Sequence, residues 1–266
     1  MSPALDTALD FTGKVVLVTG GGRGVGRGIS ERFLEAGAEV VVCGRSEPES
    51  LPTGAARTAH FETADVREPE QVERLLAAVC DRLGPLDVLV NNAGGAPASN
   101  AASASPRFHE SILRLNLTAV LHCAQRANAV MQEQAEGGAI INIASVSGMR
   151  ASPGTAAYGA AKAGVLSLTQ TLAVEWAPRV RVNAVTAGMI RTERAHLHYG
   201  DEAGIASVAA TVPLGRLGEP RDVGDACLFL ASPLARYVSG ANLLVHGGGE
   251  RPAFLEAARN TEPGER

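Results

Sequence analysis

Cysteine is scarce in this 266-residue sequence, and long hydrophobic runs are lacking. The four cysteines, Cys43, Cys80, Cys123 and Cys227, lie far apart in the sequence and form no C-x-x-C pair. This spacing argues against a disulfide framework, and no metal site is predicted. We expect them to be buried free thiols in a reducing cytoplasm. No apolar stretch approaches the ~20 residues that cross a bilayer, so no membrane-spanning segment is predicted.

The sequence also lacks a strong excess of charge of either sign. It has 24 Lys and Arg against 28 Asp and Glu, a formal net charge of -4, and no long basic run. This balance argues against nucleic acid or an anionic membrane surface as the main partner, and a small soluble substrate is expected. Residues 1–10 carry acids in place of a basic segment and an apolar core, so they do not resemble a signal peptide.

What the sequence does contain is a regular alternation of β-branched runs and helical patterns. Strands are predicted at residues 14–19, 40–43, 59–63, 87–91, 139–144, 180–185 and 242–245. Helices are predicted at residues 23–36, 69–83, 106–134, 155–177 and 220–230. Strands separated by such helices imply right-handed βαβ units. The prediction is an α/β fold of the Rossmann type: a doubly wound parallel sheet in a three-layer α/β/α single domain, residues 1–266, with its core at about 12–249.

Two stretches fall outside this alternation. Residues 191–217 are long and mixed, with His196, His198, Tyr199 and two loose helical patterns. Because α/β proteins place substrate loops beyond the carboxyl ends of strands, we expect a lid here, with a packed surface helix pair as the alternative. Residues 250–266 are charged, and we expect this tail to be loosely held.

A glycine cluster, Thr19-Gly-Gly-Gly-Arg-Gly-Val-Gly26, joins the first strand to the first helix. Glycines allow the tight turn and let a pyrophosphate approach the backbone N–H groups at the helix N-terminus. The cluster therefore predicts a dinucleotide site that includes Gly20, Gly22, Arg23, Gly24, Val25 and Gly26.

The end of the second strand distinguishes the two nicotinamide dinucleotides. An NAD enzyme would carry a carboxylate there, whereas this chain has Cys43-Gly44-Arg45-Ser46. With Arg45 and Arg23 able to clamp a 2'-phosphate, NADP(H) is preferred and NAD(H) stays possible; a solvated loop arginine is the alternative for Arg45. Asp65, followed by Val66, could accept from the adenine amino group or cap the next helix.

Tyr158 and Lys162 are four residues apart on a predicted helix, thirteen and more residues after Ser145. Such a pair shares one helix face at about 6 Å, so the lysine ammonium could lower the pKa of the phenol. The spacing alone also arises by chance, when a lysine snorkels beside a half-buried tyrosine.

Together these residues resemble the short-chain dehydrogenase/reductase family in its compact one-domain form, over about residues 12–249. The matching motifs are the glycine cluster, Asn91-Asn-Ala-Gly94, Asn116, Ser145, and Tyr158 with Lys162. The resemblance implies that Asn116, Ser145, Tyr158 and Lys162 form the catalytic tetrad. It also implies that the segment with Asn92, Ala93 and Gly94 stabilises the sheet and lines the cofactor cleft, and that Lys162 holds the nicotinamide ribose.

The chemistry of these groups suits carbonyl reduction and its reverse. Tyr158 O–H would protonate the developing alkoxide, and Ser145 O–H would donate a second hydrogen bond to it. Asn116 would position a water linking Lys162 to solvent, although a mid-helix asparagine usually bonds backbone. We therefore expect an oxidoreductase that interconverts a ketone and a secondary alcohol.

Two positions depart from the family pattern. Thr186-Ala-Gly188 stands where relatives have Pro-Gly, so the loop is expected to be more mobile, while Ile190 and Thr192 keep positions that contact the cofactor in relatives. His246 stands where relatives often have aspartate. An interface or core role is expected for it, since Tyr158 already supplies the acid.

The substrate is left open by the sequence. Members that resemble 3-oxoacyl-[acyl-carrier-protein] reductases need a basic patch for an acidic partner, and the turn at residues 131–138 before Ser145 is acidic, which weakens that interpretation. An acyl-CoA, a steroid or terpenoid with NAD(H), and a polyol are alternatives, and so is a non-enzymatic NADP sensor. The resemblance further implies a homo-oligomer, tetramer or dimer, formed through the helices at 106–134 and 155–177.

Overall fold

The computed structural model describes residues 7–254. The expectation for residues 1–10 falls partly outside this range, and so does that for the tail, of which residues 255–266 are not described. Within residues 7–254 no helix is long and apolar enough to cross a membrane.

Nine strands are present in the described chain: β1 (Val15–Thr19), β2 (Glu39–Gly44), β3 (Thr53–Gly54), β4 (Arg57–Thr58), β5 (His60–Thr63), β6 (Val88–Asn91), β7 (Gly138–Ser145), β8 (Val180–Ala187) and β9 (Asn242–Val245). Seven of them form one parallel sheet in the order β5-β2-β1-β6-β7-β8-β9, and β3 pairs with β4 in a small antiparallel hairpin. The chain thus winds outward in both directions from β1, and the strand order reverses between β1 and β6. Ligands of such sheets bind at the carboxyl ends of the strands at this reversal.

Eight α-helices are present in the described chain: α1 (Gly24–Glu35), α2 (Pro69–Leu83), α3 (Pro106–Leu113), α4 (Ala119–Glu133), α5 (Ala156–Glu175), α6 (His196–Tyr199), α7 (Glu202–Thr211) and α8 (Pro220–Ala231). Side chains of β1 alternate between the two faces, as the period of a strand requires. Val16 and Val18 pack with α1 and α8. Val15 and Leu17 pack with α2, α4 and α5 on the other face. This is the predicted single Rossmann-type domain of three layers.

The predicted bounds of α2 and β9 match the structure, and most other elements differ by one or two residues at an end. The helix predicted over 106–134 is instead divided: a π-helical turn, Arg114–Thr118, separates α3 from α4. The β3–β4 hairpin is not predicted by the sequence pattern, because each of its strands has two residues and no apolar alternation.

The expectation of buried thiols is largely confirmed. Cys43, Cys123 and Cys227 are buried and Cys80 is half-buried, all as free cysteines. Burial raises the pKa of the Cys43 thiol to about 12. Within residues 7–254, no three or more His, Cys, Asp or Glu side chains gather as a metal site would require.

Candidate functional site

The glycine turn between β1 and α1 is closed so tightly that only glycine fits at several of its positions. Gly20 and Gly24 have positive φ angles of 64° and 53°. A Cβ on Gly26 would lie 2.4 Å from both Asn92 Nδ2 and the Gly20 carbonyl oxygen. Asn92 Nδ2 itself donates to the carbonyl oxygens of Thr19 and Gly20, at 2.9 and 3.2 Å. The turn is therefore clamped to the residues that follow β6.

An anionic oxygen already lies at the start of α1. The backbone N–H of Gly24 donates to Oε1 of Glu193, across 3.1 Å. A helix N-terminus carries partial positive charge and spare N–H donors, which is why a carboxylate is stable there. Here the carboxylate oxygen stands in for a phosphate oxygen, so the turn fits the pyrophosphate of a dinucleotide. Val25, the next residue, is half-buried beside it.

The residues predicted to select the 2'-phosphate lie at the carboxyl end of β2. Arg45 and Ser46 are exposed, and so is Arg23. Within residues 7–254, neither arginine side chain makes a hydrogen bond or an ion pair. The positive charge of Arg45 is felt locally, since it is among the groups that lower the pKa of Asp65. Both guanidinium groups are thus available to an anionic ligand.

Asp65 is ionised and paired. Arg67 Nε donates to Asp65 Oδ1 across 2.9 Å, and hydrogen bonds from Arg67 are the main reason why the pKa of this carboxyl is lowered. The alternative in which Asp65 caps α2 is wrong, because the N-cap residue of α2 is Glu68. Val66 is buried against the α2 face of the sheet.

The segment after β6 is fixed by a chain of buried polar groups. Asn91 Nδ2 donates to Asn142 Oδ1 at 3.0 Å, and Asn142 Nδ2 donates to Thr169 Oγ1 at 3.0 Å. These bonds link β6, β7 and α5 across the sheet interior. The hydroxyl of Thr19 accepts from the N–H groups of Asn92 and Ala93, each at 3.0 Å. Thr19 and Asn142 are contributors that the motif analysis did not assign a role.

Asn116 lies in the π-helical turn and is fully buried. Its Nδ2 donates to the carbonyl oxygens of Ile112 and Gly95, at 2.9 and 3.0 Å, and its Oδ1 accepts from Gly95 N–H at 2.8 Å. Both amide donors are thus used on backbone carbonyl oxygens, and the role of Asn116 in positioning a water stays a prediction. The bond to Ile112 reaches back one turn along the helix, within the π-helical interruption between α3 and α4.

Gly94 lies between Asn116 and the lysine of the predicted tetrad. A Cβ at Gly94 would lie 2.7 Å from Asn116 Oδ1 and 3.4 Å from Lys162 Nζ. Any larger residue would therefore push against both side chains. The structure brings the Asn91–Gly94 motif, Asn116 and Lys162 into one contact region, as the resemblance implies.

Ser145, Tyr158 and Lys162 meet at the carboxyl end of β7. Lys162 is only 3% exposed, its Nζ donates to the Ile143 carbonyl oxygen at 2.8 Å, and it lies 5.7 Å from the centroid of the Tyr158 ring. Burial lowers the pKa of Lys162 to about 8. The ammonium is thus held under the phenol ring with one backbone partner.

The pKa of Tyr158 differs from expectation. Burial raises it, a hydrogen bond with the Ser145 hydroxyl lowers it in part, and the nearby Tyr199 raises it further. Burial outweighs any lowering by Lys162 in this arrangement, where the ammonium faces the Ile143 carbonyl oxygen, so the lowering of this pKa by Lys162 stays a prediction. Tyr158 therefore keeps its proton and is a hydrogen-bond donor at neutral pH.

The strand β8 extends further than predicted. Ala187 is its last residue and pairs with Ser145 on one side and Val245 on the other, so the position that is proline in relatives belongs to the sheet here. Gly188 N–H donates to the Val245 carbonyl oxygen at 2.9 Å, and a Cβ on Gly188 would lie 2.6 Å from the Cβ of His246. The half-buried His246 thus makes a glycine necessary at 188.

The loop that leaves β8 reaches the glycine turn. Ile190 is buried, and it pairs with Gly218 in a short parallel bridge. The Cγ2 of Thr192 lies 3.6 Å from the position of a Cβ on Gly24. Both cofactor-binding candidates of this loop therefore lie near α1, at the same edge of the sheet as Ser145.

Residues 191–217 form the two short helices α6 and α7 over a small apolar cluster of their own, made of Ala195, Ile205, Val212 and Leu217. Tyr199 packs against this cluster, and burial is the main reason why its pKa is raised. Arg150, beyond β7, is ion-paired with Glu250, beyond β9. The charges of Arg150 and Glu250 both affect the pKa of Tyr199, and Tyr199 in turn affects the pKa of Tyr158. The ion pair and the two phenols therefore lie close together. Motif analysis gave Tyr199 no role.

The acidic turn at residues 131–138 lies at the amino end of β7, whereas Ser145 lies at its carboxyl end. Eight strand residues span about 25 Å, so the turn is far from the cleft. The argument that its acidity weakens docking of a carrier protein at the active site is therefore wrong.

Comparisons with known proteins agree with this geometry. A family model described as enoyl-(acyl carrier protein) reductase matches residues 20–250. A 3-oxoacyl-acyl-carrier-protein reductase of Vibrio cholerae is 38% identical over 248 residues, which is 90% of this chain and 98% of that protein. A 3alpha-hydroxysteroid dehydrogenase of Mediterraneibacter gnavus is 37% identical over 243 residues, 88% of this chain and 96% of that protein.

A solved structure is similar over nearly the whole length. The aldohexose dehydrogenase of Thermoplasma acidophilum in its ligand-free form superposes with a TM-score of 0.83 at 30% identity, covering 97% of this chain and 98% of that one. The three similar proteins are named for different substrates, so similarity of this degree does not select one.

Proposed function

This chain belongs to the short-chain dehydrogenase/reductase family of oxidoreductases, and on that premise we propose that it interconverts a ketone and a secondary alcohol with NADP(H), using Tyr158 as general acid and base. Ser145, Tyr158 and Lys162 meet at the carboxyl end of β7, at the same edge of the sheet as the glycine turn. This arrangement is the observation that carries the proposal.

Tyr158 supplies the proton in reduction. Its raised pKa keeps the phenol protonated, and the Ser145 hydroxyl beside it gives a second donor for the same substrate oxygen. Two donors that converge on one oxygen stabilise negative charge as it develops there. In oxidation the phenolate form of Tyr158 would accept the proton, so the phenol must first lose its own proton, and the Lys162 ammonium near its ring would stabilise that phenolate.

The residues that would hold the dinucleotide form a continuous path. The pyrophosphate would lie at the start of α1 against Gly20, Gly22, Gly24, Val25 and Gly26. The nicotinamide half would lie along Asn92, Ala93, Gly94, Gly188, Ile190 and Thr192, with Lys162 on the ribose. When bound, the nicotinamide supplies or accepts the hydride.

The choice between the two dinucleotides rests on the adenosine end. Arg23, Arg45 and Ser46 are exposed beside the end of β2, and no carboxylate occupies residues 44–46 to repel a 2'-phosphate. Asp65, whose carboxylate pairs with Arg67, would accept from the adenine amino group. NADP(H) is therefore the preferred cofactor, and NAD(H) is the alternative.

The substrate would enter under residues 191–217, which we interpret as a lid because α6 and α7 pack over a cluster separate from the main core. Similar proteins are named for a 3-oxoacyl carrier-protein thioester, a hydroxysteroid and an aldohexose. An apolar or acyl-linked ketone or alcohol remains our first candidate. Because the acidic turn at residues 131–138 lies far from the cleft, it gives no argument against a carrier-protein substrate.

We also propose a homo-oligomer, tetramer or dimer, in the cytoplasm. The support is an exposed face of small residues on α5, namely Ala156, Ala160 and Ala163, beside the loop after β7. Small side chains allow another helix to approach closely.

The test uses the purified full chain with NADPH or NADH and a panel of carbonyl substrates: a 3-oxoacyl thioester, a ketosteroid, a terpenoid ketone and an aldohexose lactone. We expect oxidation of NADPH with at least one substrate, and slower reaction with NADH. Absence of turnover with every substrate, together with tight NADPH binding, would contradict the proposed activity.

A further inference from the structure

Glu193 has a position that no motif accounts for. It is exposed, yet its carboxylate accepts from Gly24 N–H at 3.1 Å, at the very start of α1. This is the place proposed above for the pyrophosphate of the cofactor. A carboxylate and a pyrophosphate both carry negative charge and compete for the same N–H donors, so they cannot occupy the start of α1 together.

The chain on both sides of Glu193 is fixed. On the amino side, Ile190 is bridged to Gly218, and the Arg191 N–H donates to the Gly218 carbonyl oxygen at 2.7 Å. On the carboxyl side, Ala195 is 3% exposed in the apolar cluster under α6 and α7. Because Glu193 lies two residues before Ala195, its contact with α1 is one restraint on the chain that enters this cluster.

We propose that Glu193 competes with the dinucleotide pyrophosphate for the N–H groups at the start of α1. Its contact with Gly24 holds the beginning of the lid, residues 191–217, against α1 until the cofactor displaces it. This inference rests on the proposed function, because it takes the start of α1 as the pyrophosphate site. Binding of cofactor then includes the cost of breaking the Glu193 contact with Gly24 of α1. The apparent affinity is lowered by the fraction of molecules in which Glu193 occupies the site.

The test compares Glu193→Gln with Glu202→Gln in the full-length protein. Glutamine keeps the shape of the side chain and removes its charge. Glu202 is a second exposed carboxylate of the same segment; it pairs with Arg191 and does not contact α1, so its variant controls for the loss of one negative charge. Dissociation constants for NADPH and NADH are measured by calorimetry, and hydrogen exchange is followed over residues 194–200 without cofactor.

We expect Glu193→Gln to bind both dinucleotides about threefold to tenfold more tightly, since the pyrophosphate is common to both, and to exchange faster over 194–200. Glu202→Gln should bind them as the wild type does. Unchanged or weaker binding by Glu193→Gln, with the wild type still binding NADPH, would overturn this inference alone. If wild type and variants bind neither dinucleotide, the proposed function is overturned and this inference with it.

Discussion

The two ends of the proposed cleft hold their polar and charged groups in opposite ways. At the catalytic end, Lys162 is almost completely buried, with one backbone oxygen as its partner, and Asn116 is fully buried with three backbone hydrogen bonds. At the nucleotide end, Arg23, Arg45 and Glu193 are all exposed.

Burial at one end sets the pKa values of the proposed catalytic groups, whereas exposure at the other end leaves charged groups accessible to a ligand. Burial shifts the pKa of Tyr158 and of Lys162 and so sets their protonation, at a cost in stability. Exposure leaves an arginine free to meet a phosphate, at little cost. Changes at the buried end should therefore alter rate and stability, and changes at the exposed end should alter affinity alone.

The largest effect is expected from Tyr158→Phe. Removal of the phenol hydroxyl deletes the proton donor, so kcat should fall by about 1,000-fold, while the Kd for NADPH stays the same. Steady-state kinetics and calorimetry measure the two quantities. Tyr199→Phe removes a neighbouring phenol and should lower kcat by less than about tenfold. Retention of more than a tenth of the activity by Tyr158→Phe would refute its role as the acid.

Lys162→Met should lower kcat by about 100-fold, because the ammonium that stabilises the phenolate is lost. The matched control is Lys14→Met, since Lys14 pairs with Asp87 at the opposite edge of the sheet and should leave kcat unchanged. Equal activity of the two variants would mean that the buried ammonium does not act on Tyr158.

The same lysine gives a dependence of stability on pH. Its pKa falls from 10.5 to about 8 on folding, so between these values the unfolded chain binds more protons than the folded one. Stability must then rise with pH across this window, by about 3 kcal/mol from this group. Urea unfolding of wild type and Lys162→Met from pH 7 to 11 measures the contribution. A difference between the two that stays constant with pH would contradict the burial of a charged lysine.

Asn116→Ala should cost about 2 to 3 kcal/mol of unfolding free energy, since it leaves the Gly95 N–H and two carbonyl oxygens without their partner. Asn128→Ala, on α4, removes only one side-chain contact with Gln132 and should cost less than about 0.5 kcal/mol. Chemical denaturation compares them. Equal costs would show that the π-helical turn does not depend on the Asn116 amide.

The smallest effect is expected from Arg45→Ala. It should weaken NADPH by about tenfold and NADH by less than twofold, because only NADPH carries the 2'-phosphate. The NADPH effect should shrink as salt is raised. Arg107→Ala, an exposed arginine of α3, serves as the control and should change neither affinity. Equal weakening of both dinucleotides by Arg45→Ala would refute the phosphate clamp.

Much of the frame follows from local sequence patterns. Apolar β-branched runs and helical periodicity predict the layers, and Pro69 and Gly84 mark the ends of α2 in the chain. The π-helical turn does not follow from periodicity; in it the Asn116 side chain donates to the Ile112 carbonyl oxygen. The same side chain also bonds Gly95, which is 21 residues away in sequence.

In the candidate site, too, local sequence patterns predict some features, and contacts between residues distant in sequence determine the others. Spacing and motif order predict that Tyr158, Lys162 and Ser145 come together. They do not predict protonation, since the raised pKa of Tyr158 is a consequence of burial by distant elements. They also do not predict Glu193 at α1, a contact 169 residues apart in sequence. Spacing and motif order also do not show that the acidic turn at residues 131–138 lies far from the cleft, because residues close in sequence are far apart in space when a strand separates them.

The central claim is that Tyr158 protonates a carbonyl that receives hydride from a nicotinamide. The most direct test incubates the protein with NADPH deuterated at the transferred C4 position and the carbonyl panel, and analyses the alcohols by mass spectrometry. The account predicts an alcohol with deuterium on its carbinol carbon from the wild type, and almost none from Tyr158→Phe. Equal deuterium incorporation by both proteins, or none by a wild type that binds NADPH, would contradict it.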